Sequence, residues 1–227
     1  MRRLGVLIAV ADEASRILLD ECWAWSETEP GFYRSGSRPI VLAVSGVGKV
    51  FAAYAVARML DDCDLMLGMG TSGGLSDENL GSIWICSEFI ERDMDCSALW
   101  FEPGVTPYAC MDGSIIQSAG AELVTLVQGA AAAVGLETRE CRTATGDSFI
   151  ADPALARNLR EHTGARLCDM ESAAAAKICR YRAHKEFIAL RAVSDNADRQ
   201  ARRSWEEQVK LSAKDFAKFL GAFVERL

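Results

Sequence analysis

Residues 4–10 read LGVLIAV, a short apolar run, and residues 11–13, which follow at once, read ADE. The run is too short to span a bilayer, and the acids that follow it do not suit a signal peptide, so we interpret it as a buried first strand. Similar short β-rich runs recur along the chain and alternate with longer segments of helical period. This alternation predicts an α/β fold in which a mainly parallel sheet is covered by helices.

The pattern predicts a single three-layer α/β/α domain over residues 1–227, with a central mixed, mostly parallel twisted sheet, because no linker, repeat or low-complexity tract interrupts it. The predicted strands are Leu4–Val10, Ile40–Val44, Leu65–Met69, Ser82–Glu88, Glu137–Ala144, Leu167–Met170 and Glu186–Val193. The predicted helices are Asp12–Cys22, Val47–Leu60, Gln117–Val134, Pro153–Glu161, Glu171–Tyr181 and Arg203–Glu225. Residues 91–113 are expected to form a long loop that exposes Trp100 and Phe101.

The composition excludes several classes of partner. The chain has 32 Asp plus Glu against 25 Lys plus Arg, a net charge of -7, and no basic block, which argues against nucleic acid and against an anionic membrane surface. The eight cysteines are scattered and only two histidines accompany them, so we expect reduced thiols in a cytoplasmic protein and no metal or other cofactor. A small neutral or cationic substrate fits this balance.

Three glycine-rich strings imitate known motifs without their structural context. Residues 68–73 read GMGTSG, a dinucleotide fingerprint, and residues 70–74 read GTSGG, a nucleophile elbow. Both motifs require a helix next, whereas residues 74–81 read GLSDENLG and predict a turn. Residues 45–50, SGVGKV, lack the first glycine and the final Ser or Thr of a phosphate loop. Two glycine-bearing turns remain, at the carboxyl ends of predicted parallel strands, where α/β sheets bind ligands.

Three acidic residues each come shortly after a predicted strand: Glu13, Glu171 and Asp195. Each could simply favour the first turn of the following helix, which is worth about 0.3–1 kcal/mol. Their joint placement at one sheet edge favours acid/base chemistry, because carboxylates in different environments can serve as acid and base at neutral pH.

An ordered set of motifs then carries a family resemblance. The motifs occupy residues 5–13, 45–50, 70–75, 145–150, 169–172 and 191–198. In this order they resemble the nucleoside phosphorylase and nucleosidase family, and within it the 5'-methylthioadenosine/S-adenosylhomocysteine nucleosidases. The resemblance implies a nucleoside phosphorylase-like fold, a cytoplasmic homodimer, a role in methionine salvage, and hydrolysis of the N-ribosidic bond of a 5'-modified adenine nucleoside to adenine and the 5'-substituted ribose.

The resemblance also implies a role for each matching residue. Asp195 would protonate the purine N7 as general acid, Glu13 would deprotonate the attacking water, and Glu171 would bind the ribose hydroxyls. Phe149 and Ile150 would hold adenine, Met170 would lie against the ribose, and Trp205 would cover the 5'-substituent. Ser194 would support Asp195. The floor of the pocket would be formed by Val47, Thr71, Ser72 and Gly73. Phe101 would complete the pocket of a neighbouring subunit.

The sequence leaves three alternatives open. A phosphorolytic purine nucleoside phosphorylase would have an arginine where Gly68 stands, although Arg92 and Arg38 are unassigned cations. A futalosine-type nucleoside hydrolase would use the same acid, and a purine-binding protein without activity would use the same scaffold. The chain departs from the family at Asp169, where a glutamate is usual, and at residues 91–95, ERDMD, where the family has Tyr-His-Asp-Ala-Asp.

Overall fold

The computed structural model describes residues 2–109 and 113–227 of the chain. Its strands are β1 (Leu4–Ile8), β2 (Trp25–Glu29), β3 (Phe32–Ser35), β4 (Ile40–Val44), β5 (Leu65–Gly74), β6 (Ile83–Glu91), β7 (Ile115–Gln117), β8 (Thr138–Thr145), β9 (Leu167–Asp169) and β10 (Phe187–Asp195). Its helices are α1 (Ala11–Leu18), α2 (Lys49–Met59), α3 (Ala121–Ala133), α4 (Pro153–Thr163), α5 (Ser172–Ala183) and α6 (Ala201–Val224). The elements form the predicted mixed α/β fold with a central sheet.

The strands form one ten-stranded sheet in the order β10-β6-β8-β9-β5-β1-β4-β3-β2, with β7 added beside β6. The pairs β1–β4, β1–β5, β5–β10, β6–β8 and β8–β9 are parallel, whereas β6–β10 and β5–β9 are antiparallel. Because β10 pairs with both β5 and β6, five strands close on themselves, and β1, β4, β3 and β2 continue the sheet outward from β5. The mixed sheet is as predicted, and its partial closure is an addition that the pattern did not indicate.

Strand β5 is twice as long as predicted, because it continues through Gly74 instead of ending at Met69. The prediction of a turn over residues 70–74 is therefore wrong. A Cβ at Gly68 would lie 2.8 Å from the ring of Phe187, and one at Gly70 would lie 2.5 Å from a guanidinium nitrogen of Arg191. Glycine is therefore needed at these positions because it lets β10 lie close to β5, and not because the chain turns there.

Helices cover both faces of the sheet and bury two separate cores. One core joins α1, α3 and α6 to the sheet and includes Ile8, Val127 and Phe216; the other joins α2 and α5 to the opposite face and includes Val56 and Phe187. Long helix α6 buries apolar side chains over most of its length, as its spacing predicted. Two packed helical layers thus hold the carboxyl ends of the strands in fixed positions.

The sequence pattern missed the hairpin of β2 and β3 and the short strand β7. Strand β2 reads WSETE and is mostly exposed, so it lacks the alternation that marks a half-buried strand. The dipeptide Pro30-Gly31 was an available turn signal, and Gly31 has the positive φ of 79° that such a turn requires. Strand β7 ends at Gln117, the residue at which the predicted helix starts, and the helix itself begins only at Ala121.

Residues 92–109 form an irregular segment with one short helical turn at residues 97–99. Trp100 is 97% exposed, as expected, whereas Phe101 is half-buried with its ring 5.9 Å from that of Tyr108, so its predicted exposure is wrong. Residues 110–112, which belong to the predicted loop, lie outside the described residues. In the described part of the chain, no helix is both long enough and apolar enough to cross a bilayer.

Candidate active site

A cavity of about 470 Å³ opens at the carboxyl ends of β1, β4, β5 and β10, a size typical of small-molecule sites. Its lining includes every predicted site residue except Phe101: Glu13, Val47, Thr71, Ser72, Gly73, Phe149, Ile150, Met170, Glu171, Ser194, Asp195 and Trp205. Residues from seven separate segments therefore converge, as the position of the carboxyl edge predicted. The lining also includes Ala9, Val10, Ser148, Cys168, Asp169, Arg191 and Arg202, to which the sequence analysis assigned no role in binding.

Glu13 lies in the first turn of α1 and is only 2% exposed. Its Oε1 accepts hydrogen bonds from the backbone N–H and the hydroxyl of Thr71, both at 2.8 Å. The indole Nε1 of Trp205 donates in turn to that hydroxyl at 3.2 Å, so α6 and β5 together hold the carboxylate in place. Burial raises the pKa of Glu13, while the Thr71 hydrogen bonds and the charge of Arg191 oppose that rise.

Glu171 lies between β9 and α5, where it is 6% exposed. Its Oε1 accepts a hydrogen bond of 2.9 Å from the backbone N–H of Gly48, which fixes the glycine-bearing turn before α2. Burial and the nearby charge of Asp169 raise the pKa of Glu171 to about 7, against the opposing effects of Arg191 and the Gly48 N–H. The pKa of this carboxyl therefore lies near neutral pH.

Asp195 is the last residue of β10 rather than a residue beyond it, and it is 2% exposed. Its Oδ1 accepts from the backbone N–H of Ala197 at 2.9 Å, and its Oδ2 lies 2.7 Å from the hydroxyl of Ser194. Burial raises the pKa of Asp195, although both hydrogen bonds act in the opposite direction. Asp195 and Glu13 are held at opposite ends of the β5 segment 71–73, because Glu13 contacts Thr71 and Asp195 lies beside Gly73.

Arg191 is a buried charged residue of the site that sequence reasoning missed. It is 3% exposed, it lies 2.7 Å from Oδ2 of Asp169, and it donates to the hydroxyl of Ser172 at 2.7 Å. Asp169 also accepts from the hydroxyl of Thr145 at 2.5 Å, so this departure from the family belongs to a buried ion pair. The available signal was an arginine inside the apolar strand at residues 186–193, because a buried charge requires a partner.

Arg92 holds the loop that carries Phe149 and Ile150. Its Nη2 donates to the carbonyl oxygens of Gly146 at 3.1 Å and Ser148 at 2.5 Å, and to the Ser148 hydroxyl at 3.0 Å. Neighbouring Asp93 accepts from the backbone N–H of Asp147 at 2.9 Å. The departure at residues 91–95 thus provides contacts to the loop expected to hold adenine. Neither Arg92 nor Arg38 lines the cavity.

We expect Arg92→Gln to raise KM about tenfold and to change kcat less. The substitution removes charge-assisted hydrogen bonds worth about 1.5–3 kcal/mol each, and the loop before Phe149 loses its fixed position. Steady-state kinetics with an adenine nucleoside measures both constants. Arg142→Gln is the matched control, because Arg142 likewise donates to a backbone carbonyl, that of Thr163, and also to Glu88, but holds no loop whose residues line the cavity. Equal losses in both variants would contradict the role of Arg92.

Comparison with known proteins assigns this fold and site to a family. The chain belongs to the phosphorylase superfamily, whose family model matches residues 9–227. Within that superfamily it is a nucleosidase, that is, an N-glycosyl hydrolase. It is 32% identical over 195 residues to the 5'-methylthioadenosine/S-adenosylhomocysteine nucleosidase of Shewanella sediminis, covering 84% of this chain and 83% of that protein. The enzyme of the same description from Halalkalibacterium halodurans is 28% identical over the whole of both chains.

Solved structures agree with this assignment and add a second relative. A mutant of the Helicobacter pylori 5'-methylthioadenosine nucleosidase, solved with 5'-methylthioadenosine in its active site, matches with a TM-score of 0.90 at 26% identity, covering all of both chains. The futalosine hydrolase of Helicobacter pylori also matches with a TM-score of 0.90 at 26% identity, covering 100% of this chain and 98% of that one. The family resemblance deduced from the sequence motifs is confirmed.

Proposed function

We propose that the chain hydrolyses the N-ribosidic bond of a 5'-thio-substituted adenine nucleoside, of the 5'-methylthioadenosine or S-adenosylhomocysteine type, to adenine and the 5'-substituted ribose. The observation that carries this proposal is the convergence of Glu13, Glu171 and Asp195, all buried, on one cavity of nucleoside size. The pKa of each carboxyl is raised by burial, which brings its titration closer to neutral pH. Such groups can both give and take protons at the pH where the enzyme works.

The contacts of Ser194 support Asp195 as the general acid. The Ser194 hydroxyl lies 3.2 Å from the backbone oxygen of Ser72 and 2.7 Å from Oδ2 of Asp195. A hydroxyl has one hydrogen, so when it donates to Ser72 the second contact is a hydrogen bond only if Asp195 is protonated and donates. After the proton has moved to the purine, the same hydroxyl can turn and donate to the Asp195 carboxylate. Ser194 can therefore stabilise both states of the acid.

Glu13 and Glu171 are suited to the sugar side of the reaction. Thr71 occupies Oε1 of Glu13 and leaves Oε2 to take a proton from a water molecule in the cavity. Glu171 can accept hydrogen bonds from ribose hydroxyls, and its negative charge stabilises the positive charge that develops on the sugar. Arg191, paired with Asp169 beneath both glutamates, keeps part of the site's negative charge compensated.

Hydrolysis is favoured over phosphorolysis by the charges around the cavity. Glu13 and Asp169, and Glu171 in its ionised form, line it and would repel a phosphate nucleophile, whereas Asp195 is protonated in this proposal and adds no charge. The buried Arg191 is already engaged by Asp169 and Ser172. An arginine at Gly68 would have no space, because even a Cβ there would lie 2.8 Å from Phe187. Among the described residues, the buried part of the cavity therefore offers phosphate no cation that is not already paired, and the other lining arginine, Arg202, is an exposed residue of α6.

Release of adenine in buffers with and without phosphate tests this proposal. We expect the purified protein to release free adenine from 5'-methylthioadenosine at the same rate in both buffers, with a reducing sugar as the second product. Strict dependence on phosphate, with a sugar 1-phosphate as product, would establish phosphorolysis instead. Futalosine belongs in the same substrate panel, because a futalosine hydrolase is as similar in structure as the nucleosidase. Absence of base release from every nucleoside would leave only a binding function.

The raised pKa of Glu171 predicts an unusual dependence of stability on pH. Between pH 4.5, its ordinary pKa, and about 7, the folded protein binds more protons at this site than the unfolded chain. Its contribution to stability is therefore complete below pH 4.5 and is lost as the pH rises through 7. We expect Glu171→Gln, which keeps an acceptor for Gly48, to gain up to about 3 kcal/mol relative to wild type across this range. Urea unfolding from pH 4.5 to 8 measures the free energy of unfolding of both proteins. A difference between the two free energies that stays constant over this pH range would contradict the prediction.

We also propose that the active form is a homodimer in the cytoplasm. Helix α2 exposes Val50, Phe51 and Tyr54 at 76%, 58% and 54%, next to the cavity residue Val47, and such an apolar face suits a contact with a second subunit. Phe101 would then approach the cavity of the partner. Unpaired thiols, including the exposed Cys22, support a reducing compartment. Sedimentation velocity of the purified chain measures its oligomeric state, and a monomer would contradict the dimer.

A further inference from the structure

We propose that Arg202 forms a subsite for a terminal carboxylate on the 5'-substituent, an inference that rests on the proposed function. Arg202 lies in the first turn of α6, three residues before Trp205, and both side chains line the cavity. Residues three apart on a helix lie on the same face, so the guanidinium is adjacent to the indole. The subsite would select nucleosides with an anionic tail over those with an alkyl tail of equal length.

The arrangement of the cavity places Arg202 at the 5' end of a bound nucleoside. Asp195 lies beside Gly73 at one end of the β5 segment, and the purine that it protonates must lie there. Trp205 donates to Thr71, at the end of the segment where Glu13 lies, and so it marks the side away from the base. A substituent that extends from the ribose past Trp205 would reach the turn of α6 that carries Arg202.

Among the described residues that line the cavity, Arg202 is the cation that is exposed and not buried in an ion pair. Glu13, Asp169, Glu171 and Asp195 are acids, and the other lining arginine, Arg191, is 3% exposed and held by Asp169. The side chain of Arg202 is 89% exposed, and its Nε lies 3.2 Å from Oε1 of Glu206. The Nε of the guanidinium makes this contact, so its two amino groups can donate to an anion at the cavity.

A carboxylate is the chemical group that this position suits best. Without Arg202, a tail that ends in a carboxylate would approach an acidic cavity in a chain of net charge -7 and would be repelled. The planar guanidinium offers two parallel N–H donors that match the two carboxylate oxygens, which an ammonium group cannot do. The same donors give no advantage to a methyl or butyl tail, so they distinguish substrates that are otherwise equal in length.

The test compares two nucleosides of matched length, 5'-(3-carboxypropylthio)adenosine and 5'-butylthioadenosine. We expect Arg202→Gln to lower the carboxylate-over-alkyl ratio of kcat/KM about two- to fivefold relative to wild type, the range for an exposed ion pair. The carboxylate-over-alkyl ratio of Kd, measured by calorimetry, should rise by the same factor in the variant, and in wild type it should rise toward the variant's value at about 1 M salt.

Arg203→Gln is the matched control. Arg203 has the same exposure, 86%, and the same contact with a glutamate four residues later, at 3.3 Å, but it is not among the lining residues. A change in the ratio that is equal in both variants, or absent from both, would overturn the subsite. Absence of adenine release from either nucleoside would instead contradict the proposed function, and the Kd ratio would still decide whether Arg202 binds the carboxylate.

Discussion

Asp195→Asn should lower kcat/KM for an adenine nucleoside by about 10²–10⁴-fold, the usual loss when a general acid is removed. Asparagine preserves the shape of the site, because its oxygen can still accept from Ala197 and its amide can donate to Ser194. It has no proton that can be transferred to the leaving purine, so the chemical step should slow while the nucleoside still binds. Initial rates of adenine release and calorimetry of nucleoside binding measure the two effects separately.

Asp152→Asn is a suitable control for Asp195→Asn. Asp152 caps α4 through a 2.8 Å hydrogen bond from Ala154, and asparagine caps equally well, so activity and stability should stay close to wild type. An Asp195→Asn protein that keeps activity within a few-fold of wild type would refute the role of Asp195. A variant that no longer binds nucleoside would show that Asp195 is needed for binding rather than for proton transfer.

Glu13→Gln should reduce kcat by a similar factor, about 10²–10⁴, with KM within a few-fold of wild type. The amide oxygen can still accept both hydrogen bonds from Thr71, so the packing around α1 is retained. Water then lacks a base to remove its proton. Because burial raises the pKa of Glu13, the activity of wild type should begin to fall at a pH above 4.5 as the solution is acidified.

The control for Glu13→Gln is Asp12→Asn, one residue earlier in the same helical turn. Asp12 is exposed and outside the cavity lining, so its charge is not needed for the reaction. We expect Asp12→Asn to have the pH profile of wild type, measured as kcat from pH 4 to 9. A Glu13→Gln protein with normal kcat would exclude Glu13 as the base and would favour another route for activating water.

Local pattern and topology together predicted which residues line the cavity. Strand β4 has the predicted bounds, and Glu13, Glu171 and Asp195 meet because the ends of neighbouring strands share one edge of the sheet. The motif match added the binding residues around them. The assignment of individual roles to these residues remains a prediction that the variants above test.

Other features could not be predicted because they depend on contacts between distant segments. Residues 70–74 have the composition of a turn, but they form a strand because β9 and β10 pair with them. The polar strand β2 is likewise determined by its pairing with β3 rather than by its own propensity. The position of Phe101 relative to any cavity depends on a second subunit, which a single sequence does not describe.

The close contact between β5 and β10 also limits how this enzyme can evolve. Gly68 leaves room for the ring of Phe187, and Gly70 leaves room for the guanidinium of Arg191, so each glycine and its large neighbour together fill a single volume. A larger residue in β5 is tolerated only if the neighbour in β10 becomes smaller in the same lineage. At the pair of Gly70 and Arg191, that exchange would also remove the partner of Asp169. Among homologues, positions 68 and 187 can therefore drift as a compensating pair, whereas positions 70 and 191 should stay fixed together.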